Sequence, residues 1–296
     1  MLGWRLAISA ILIPAIVLLF FLDAHLGTPA PVLFLLCVFL CLRGTYEMVD
    51  LMRERSFAPH WRLTSLCSVA VVVAAWGPRM VGLERNTLIV LGVVAMTYAM
   101  CVLLLFFAAA MRYREPGRSV DTLGAEILTV SYAGFLLGLT AQLRWVVGTD
   151  AGYLVLGSLL VTAKSGDIGA FFVGRLFGRR KMAPLLSPGK TWAGAVGAVL
   201  GAALGAWGWL TWATPWLFPS AEPAEWYWSA LYGIVIGVVG LIGDLCESMI
   251  KRDMGKKDSA ALLPGFGGLL DLLDSVLYSG PVALVLWVIL PLATWR

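Results

Sequence analysis

Long uninterrupted apolar stretches constrain this chain more than any other feature of its sequence. A helix that crosses a lipid bilayer needs about 20 mostly apolar residues, and nine stretches of roughly that kind follow one another between charge clusters and Gly or Pro breaks. They run over residues 5–22, 29–42, 63–78, 87–111, 123–141, 151–173, 192–213, 228–250 and 269–293. The sequence therefore predicts an all-α, polytopic integral membrane protein with about nine transmembrane helices.

The composition excludes the other broad classes of protein. Of the 296 residues, 60% are hydrophobic and 14% are charged, which is more apolar surface than a soluble core of this size can bury. With 13 Trp, 13 Phe and a net charge of +4, the chain fits neither a disordered segment nor a nucleic-acid-binding protein. The five cysteines lie in apolar stretches without a CxxC pair, so we expect small core residues rather than a disulfide framework or a zinc site.

The distribution of lysine and arginine predicts the orientation in the membrane. With the N-terminus placed in the cytoplasm, 17 of the 22 Lys and Arg residues fall in cytoplasmic segments, four fall in external segments, and Lys164 lies inside a span. The positive-inside rule therefore favours a cytoplasmic N-terminus. We expect the first stretch to be retained rather than removed as a signal peptide, because no small-residue cleavage site follows Leu22.

Ionisable residues within the apolar stretches are concentrated in the second half of the chain. Residues 1–150 are mostly hydrophobic spans with short loops, and we interpret them as a scaffold of transmembrane helices. From about residue 160 onward, charges lie inside spans or at their edges, where each costs at least about 2.5–3.5 kcal/mol at the centre of a bilayer. Residues 151–296 are therefore predicted to carry the functional site.

The first polar segment surrounds Lys164 and Asp167. These residues are three apart, so on a helix they share a face and can form a pair that ties helices together. The alternative is that Asp167 faces a polar cavity, with the neighbouring small residues admitting another backbone or a ligand. The sequence leaves both interpretations open.

The second polar segment runs from Ser187 to Thr191. Pro188 and Gly189 break the chain, and Thr191 is predicted to cap the following helix. A helix start with free amides and Lys190 nearby is a natural anion site, although the segment lacks the first glycine of a Walker loop. A turn followed by a helix cap explains the segment about equally well.

The densest group of charges lies in residues 243–274. A stripe with the spacing of one helix face consists of Asp244, Glu247, Ser248 and Lys251. Asp271 and Asp274 are one helical turn apart in leucine-rich sequence, and they would repel each other unless a cation or a proton lies between them. Hard divalent cations such as Mg²⁺ prefer carboxylate oxygens.

A basic loop separates these two acidic groups. It carries four cations, Lys251, Arg252, Lys256 and Lys257. A Pro-Gly-x-Gly-Gly turn follows, and its Gly267 and Gly268 are expected to expose backbone amides. Metal ligands beside cations and amides that bind phosphate are typical of phosphoryl or nucleotidyl transfer.

The same block resembles the signature of the phosphatidate cytidylyltransferase family, also called CDP-diacylglycerol synthases. The resemblance rests on Ser248-x-Ile250-Lys251-Arg252-x4-Lys257-Asp258 and on Pro264-Gly265-x-Gly267-Gly268-Leu269-x-Asp271-x-Leu273-Asp274. Segments around residues 167–170, 187–191 and 243–248 are similar to other recurring segments of that family. Over the covered residues, about 160–280, three positions depart from the family pattern: Phe266 stands for His, Leu272 for Arg and Ala193 for Glu.

The resemblance implies an activity for residues 151–296 as a catalytic region. CMP is transferred from CTP to phosphatidate, which gives CDP-diacylglycerol and pyrophosphate, in a bacterial inner membrane with the active site facing the cytoplasm. The implied partners are CTP, phosphatidate and membrane lipids, without nucleic acid. Mg²⁺ is the implied cofactor, and a second cation and a homodimer are left open.

The resemblance also implies roles for individual residues. The implied catalytic residues are Asp244, Asp271, Asp274, Lys251 and Arg252. The implied Mg²⁺ ligands are Asp244, Asp271, Asp274 and Asp167. The implied substrate contacts are Lys190, Lys251, Arg252 and Lys257 as cations, Ser187, Thr191 and Ser248 as hydroxyls, and Gly267 and Gly268 as amides.

Two other functions remain open from the sequence. A CTP-dependent lipid kinase would use the same metal and cations to transfer the γ-phosphoryl group to a lipid alcohol. A secondary transporter would use the intramembrane carboxylates to carry protons or Na⁺. The transporter does not explain why the basic loop and the glycine turn adjoin the acidic residues.

Overall fold

A computed structural model describes residues 2–55, 57–80, 87–148, 151–219, 221–262 and 267–295. Within these residues, nine helices are long and apolar enough to cross a membrane, and each corresponds to one of the predicted stretches. The prediction of an all-α, polytopic membrane protein is confirmed. The chain divides into two compact units, Met1–Ala141 with Lys251–Leu272, and Gln142–Ile250 with Leu273–Arg296.

The first unit is built from the N-terminal helices. They are α1 (Leu2–His25), α2 (Pro31–Arg53), α3 (Trp61–Met80), α4 (Thr87–Arg112), α5 (Ser119–Thr129) and α6 (Leu137–Ala141). A π-helical segment, Val130–Leu136, joins α5 to α6, and both therefore belong to the fifth predicted span. More than half of the strongest apolar window of α3 is buried. The described side chains of α1 (Ile8–His25) and of α4 (Leu88–Arg112) are mostly apolar and largely unburied, as expected for helices that face lipid.

Helix α2 is longer than the sequence predicts. The expected end at residue 42 is wrong, because the helix continues to Arg53 through several charged positions. Glu47 is fully buried within this extension, and Arg43 Nε lies 3.0 Å from its Oε1. Arg43, which directly follows the predicted apolar stretch, is thus compensated by Glu47 inside the fold.

Two further buried carboxylates hold the first unit together. Asp23 accepts hydrogen bonds from the amides of Val32 (2.6 Å) and Leu33 (3.3 Å) at the start of α2. Glu126 on α5 accepts two hydrogen bonds from Arg112, at 3.0 and 2.9 Å, and one from the amide of His60 at 2.8 Å. Charge-assisted contacts of this kind are stronger than neutral ones, so both residues fix helix ends.

The second unit contains the remaining helices and four short strands. They are α7 (Gly152–Phe177), β1 (Lys181–Ala183), β2 (Ser187–Thr191), α8 (Trp192–Leu217), β3 (Ala221–Pro223), α9 (Trp226–Asp253, to Ile250 in this unit), α10 (Leu270–Ile289, from Leu273 in this unit) and β4 (Ala293–Trp295). β1 pairs with β2 and β3 with β4, both antiparallel. The β1–β2 hairpin places the second polar segment in a strand where the sequence suggested a turn.

Helices α7 and α8 pack unusually closely through small residues. A Cβ atom built on Gly169 would fall against the carbonyl oxygen of Gly197, and one built on Gly201 would lie 2.5 Å from the carbonyl oxygen of Ser165. Close backbone approach through glycine is typical of helix pairs in membranes. The small residues around Asp167 thus admit another backbone, which is one part of the second interpretation of this segment.

A hydrogen-bonded group connects three helices in the apolar interior of the second unit. Trp287 Nε1 donates to Ser158 Oγ at 3.0 Å, and Ser158 Oγ lies 3.1 Å from the hydroxyl of Tyr232. These side chains belong to α10, α7 and α9, respectively. Because each polar atom has a partner, the group costs little to bury, and it fixes the helices that carry the acidic residues described next.

Candidate active site

Three carboxylates converge within the second unit. Asp244 and Glu247 are one turn apart on α9, and Asp274 lies near the start of α10. One oxygen from each of them lies within 4.8 Å of the oxygens of the other two. Glu247 is 2% exposed and Asp274 is 7% exposed, so this negative charge is concentrated in a largely buried position. The sequence predicted the association of Asp244 and Asp274.

Lys190 provides a positive charge next to this cluster. Its Nζ lies 2.7 Å from Oδ2 of Asp244, and its side chain is about one-sixth exposed, at 16%. Lys190 is on β2, and the β1–β2 hairpin sets its position directly before α8. A lysine beside a metal-ligand candidate is well placed to contact a phosphate that shares the metal.

The start of α8 behaves as a capped helix. Thr191 is its N-cap, and the amide of Gly194 donates to Thr191 Oγ1 at 3.1 Å, which confirms the predicted cap. The amide of Trp192 donates to the carbonyl oxygen of Arg180 at 3.1 Å. The free amides that the sequence suggested for an anion are therefore partly used within the protein, and Lys190 is the stronger candidate for phosphate contact.

Lys164 is a second cation close to the acidic cluster. Its Nζ donates to Oδ2 of Asp167 at 2.9 Å and to the hydroxyl of Ser275 at 3.4 Å. It also interacts electrostatically with Asp274 and Asp244. Lys164 and Asp167 thus form the pair that the first interpretation of this segment expects. The assignment of Asp167 as a metal ligand stays a prediction.

The acidic cluster has the composition and spacing of a Mg²⁺ site. Octahedral Mg²⁺, with oxygens at about 2.1 Å, places neighbouring oxygens about 3 Å apart and opposite ones about 4.2 Å apart. Oxygens that all lie within 4.8 Å of one another reach this arrangement with small shifts. The four carboxylates and two lysines of this region carry a formal charge of −2, which one divalent cation balances. They are Asp167, Asp244, Glu247, Asp274, Lys164 and Lys190.

Asp271 lies in the first unit and has different neighbours. Its Oδ1 accepts a short hydrogen bond from Lys251, and its Oδ2 accepts from the amide of Gly268 at 2.7 Å. The same Oδ2 accepts from the amide (2.8 Å) and the hydroxyl (2.9 Å) of Ser259. Lys251 and the two amides donate three hydrogen bonds, and the Ser259 hydroxyl can add a fourth, so little acceptor capacity is left for a metal. The assignment of Asp271 as a metal ligand stays a prediction.

The remaining residues that were predicted to contact substrate have varied environments. Ser248 and Lys251 are buried, whereas Arg252 and Lys257 are exposed. Gly267 has a φ of +93°, a conformation that glycine adopts readily, and it precedes the buried Gly268. Their roles in binding substrate stay predictions, as does that of Ser187, which is half-buried on β2.

The side chains at the three positions that depart from the family pattern are not ionisable. Leu272 and Ala193 are both half-buried. Phe266 lies outside the described residues, together with the rest of 263–266. No role in catalysis is assigned to any of the three.

Two acidic residues were missing from the predicted site. Glu247 belongs to the stripe that the sequence identified on α9, and its spacing from Asp244 was the signal for a shared cluster. Glu47 is in a part of the chain that was interpreted as scaffold, yet it contacts the residues that begin α10. Its local sequence, with Arg43 and Asp50 nearby, gave no signal of these contacts.

A model of the cytidylyltransferase family matches residues 4–290, which is nearly the whole chain. The chain belongs to the cytidylyltransferase family. Membership confirms the resemblance found in the signature segments.

Individual relatives within the cytidylyltransferase family match over shorter regions. The phosphatidate cytidylyltransferase of Mycobacterium tuberculosis (strain ATCC 25618 / H37Rv) is 36% identical over 181 residues, 60% of this chain and 50% of the relative. That of Synechocystis sp. is 42% identical over 125 residues, 40% of this chain and 38% of the relative. The uncharacterized protein YnbB of Escherichia coli is 37% identical over 156 residues, 53% of this chain and 48% of the relative. The chain thus spans about half the length of these relatives, or less.

Proposed function

We propose that this cytidylyltransferase-family protein transfers CMP from CTP to phosphatidate and releases pyrophosphate. The observation that carries the proposal is the cluster of Asp244, Glu247 and Asp274 with Lys190 paired to its rim. The named function of the relatives, phosphatidate cytidylyltransferase, agrees with this chemistry. An oxygen of the phosphatidate phosphate bonds to the α-phosphorus of CTP, and the bond from that phosphorus to the oxygen bridging to the β-phosphate breaks.

The residues of the cluster fit the demands of this reaction. A phosphate monoester is already ionised at neutral pH, so the main obstacle is repulsion between two anions rather than removal of a proton. Asp244, Glu247 and Asp274 would hold Mg²⁺. When bound there, the ion would neutralise charge on the phosphate oxygens and lower that repulsion.

The two lysines of the second unit have complementary tasks. Lys190 pairs with Asp244 and, through its flexible stem, can turn its ammonium group toward a phosphate oxygen of CTP. Lys164 stays between Asp167 and Ser275, where its charge offsets the carboxylates around it. Exposed cations of the basic loop, such as Lys257, add further phosphate contacts.

The destination of radiolabel from CTP tests the proposed reaction directly. Purified protein is incubated in detergent micelles with phosphatidate, Mg²⁺ and either [α-³²P]CTP or [γ-³²P]CTP. We expect the α label in the lipid fraction and the γ label in pyrophosphate. A γ label in the lipid would identify a lipid kinase, and the absence of both labels from the lipid would contradict nucleotidyl transfer and favour transport.

We also propose that the chain lies in a bacterial inner membrane with its active site facing the cytoplasm, where CTP is available. The bias of Lys and Arg supports this orientation, and the relatives come from bacteria. Phosphatidate then enters laterally from the inner leaflet.

Thiol labelling tests this orientation. Single cysteines in a variant without the native ones are placed at exposed positions, Arg53, Arg114, Arg179, Lys256 and Glu222. An impermeant reagent should label the first four positions only from the cytoplasmic side and position 222 only from outside. Labelling of position 256 from outside would place the basic loop away from cytoplasmic CTP and contradict the proposed orientation.

A further inference from the structure

The first unit contains a buried carboxylate that the sequence gave no reason to include in the site. Glu47 lies on α2 and is fully buried. Its Oε1 accepts from the amide of Leu269 and its Oε2 from the amide of Leu270, both at 3.0 Å. These amides belong to the start of α10, where the backbone donors have no partner within the helix. Glu47 therefore caps α10 from a helix more than 200 positions earlier in the sequence.

Glu47 also reaches the loop before α10. The hydroxyl of Ser259 lies 3.1 Å from Oε2 of Glu47 and 2.9 Å from Oδ2 of Asp271. A hydroxyl has one proton, so Ser259 can donate to one of these carboxylates at a time, and it bridges them. Asp271 in turn holds Lys251 and the amide of Gly268. The two carboxylates thus fix both ends of the basic loop within the first unit.

A second contact joins the loop to α2. Lys256 Nζ lies 3.0 Å from Oε1 of Glu54, which directly follows α2. Both side chains are nearly half exposed, so this pair contributes little to stability. Glu47 is different because it is buried and accepts hydrogen bonds from two backbone amides, with the Ser259 hydroxyl as a shared third donor. Its loss would leave the two amides without this partner.

We infer that Glu47 is a positioning residue for CTP binding: it holds the basic loop so that the cations of the loop can contact the phosphates of the nucleotide. The inference rests on the proposed function. Glu47 itself touches backbone amides, Ser259 and Arg43 rather than substrate. Its effect is transmitted through the last turn of α9, which carries Arg252, and through the loop after it, which carries Lys256 and Lys257.

The isosteric change Glu47→Gln tests the inference. Its amide keeps the volume but cannot accept every bond that the carboxylate accepts, so the loop should lose its fixed position. Loss of a contact that is equally strong in bound CTP and in the transition state raises KM and leaves kcat unchanged. We expect KM for CTP to rise about 10-fold, the equivalent of one charge-assisted hydrogen bond, with kcat within about threefold of the parent.

Trypsin provides a readout that needs no activity. The intact protein in detergent micelles is digested briefly, and cleavage after the exposed Arg252, Lys256 and Lys257 is followed by mass spectrometry. We expect these bonds to be cut at least about 10-fold faster in Glu47→Gln, because the population of the open loop rises when a charged contact is lost.

Glu126→Gln is the matched control. Glu126 is also a fully buried carboxylate of the first unit, with Arg112 and the amide of His60 as its partners, and it does not contact the loop. It should lower thermal stability while leaving KM for CTP and tryptic cleavage of the loop at parental values. Equal changes in both variants would reduce Glu47 to a structural role and overturn the inference.

The remaining outcomes are also decisive. If the parent is active and Glu47→Gln has the parental KM and the parental rate of cleavage, the positioning role is refuted. A parent that transfers no CMP would refute the proposed function instead, and the cleavage assay would still test the fixing of the loop. If Glu47→Gln does not fold, Ser259→Ala replaces it, since it removes one shared hydrogen bond. It should raise KM and cleavage about threefold, and parental values would overturn the inference.

Discussion

Asp274→Asn is expected to lower the turnover of CMP transfer at least about 100-fold while the protein still folds. Asp274 is one of three carboxylates whose oxygens lie within 4.8 Å of one another. Loss of one negative ligand should weaken the proposed Mg²⁺ site, and removal of a major charge-stabilising group typically costs a factor of 100 to 1,000. Without metal, thermal stability should be unchanged or higher, because repulsion from Asp244 and Glu247 falls.

The measurement combines turnover with the metal dependence of thermal unfolding in detergent micelles. Mg²⁺ should raise the melting temperature of the parent more than that of Asp274→Asn, since a ligand stabilises the folded state that binds it. Asp23→Asn is the control, because Asp23 is a buried carboxylate that caps α2 in the other unit. That variant should keep the parental turnover per folded molecule and the full stabilisation by Mg²⁺.

The opposite result would contradict the proposed Mg²⁺ site. Near-parental turnover in Asp274→Asn, or an equal response of both proteins to Mg²⁺, would mean that the three carboxylates serve another purpose. A structural group that ties α9 to α10 predicts lower stability without metal and an activity that falls only in proportion to it.

The part of the site that was predictable from the sequence is the part formed by local spacing. Asp244 and Glu247 are three residues apart, and helical geometry alone places them on one face of α9. The helices themselves were predictable because a bilayer imposes their length and apolar character. The cap at Thr191 follows from the chemistry of its hydroxyl at a helix start.

Contacts between distant segments were not predictable in this way. Glu47 and Ser259 are 212 positions apart, and nothing in the local sequence of α2 shows which donors its carboxylate will meet. The same limit affected Asp271. Its spacing from Asp274 suggested a shared metal, but spacing does not reveal that Ser259, Gly268 and Lys251 donate hydrogen bonds to it.

The environment of Asp271 leads to a different expectation for its variant. Asp271→Asn should destabilise the protein by roughly 3 kcal/mol even without Mg²⁺, because it removes the negative charge that the buried ammonium of Lys251 contacts. KM for CTP should also rise, since the basic loop loses its anchor at Ser259. Thermal unfolding in detergent with a metal chelator measures the first effect, and the Asp274→Asn variant, which should show no such loss, is the comparison.

A double-mutant cycle with Lys251→Met separates the ion pair from the other contacts of Asp271. If the pair accounts for the loss, the double variant should be destabilised by less than the sum of the single changes, by at least about 1 kcal/mol. Additive losses would assign the effect to Ser259 and Gly268 instead. Parental stability of Asp271→Asn without Mg²⁺, together with a weaker response to Mg²⁺, would return Asp271 to the metal site that its spacing from Asp274 predicts.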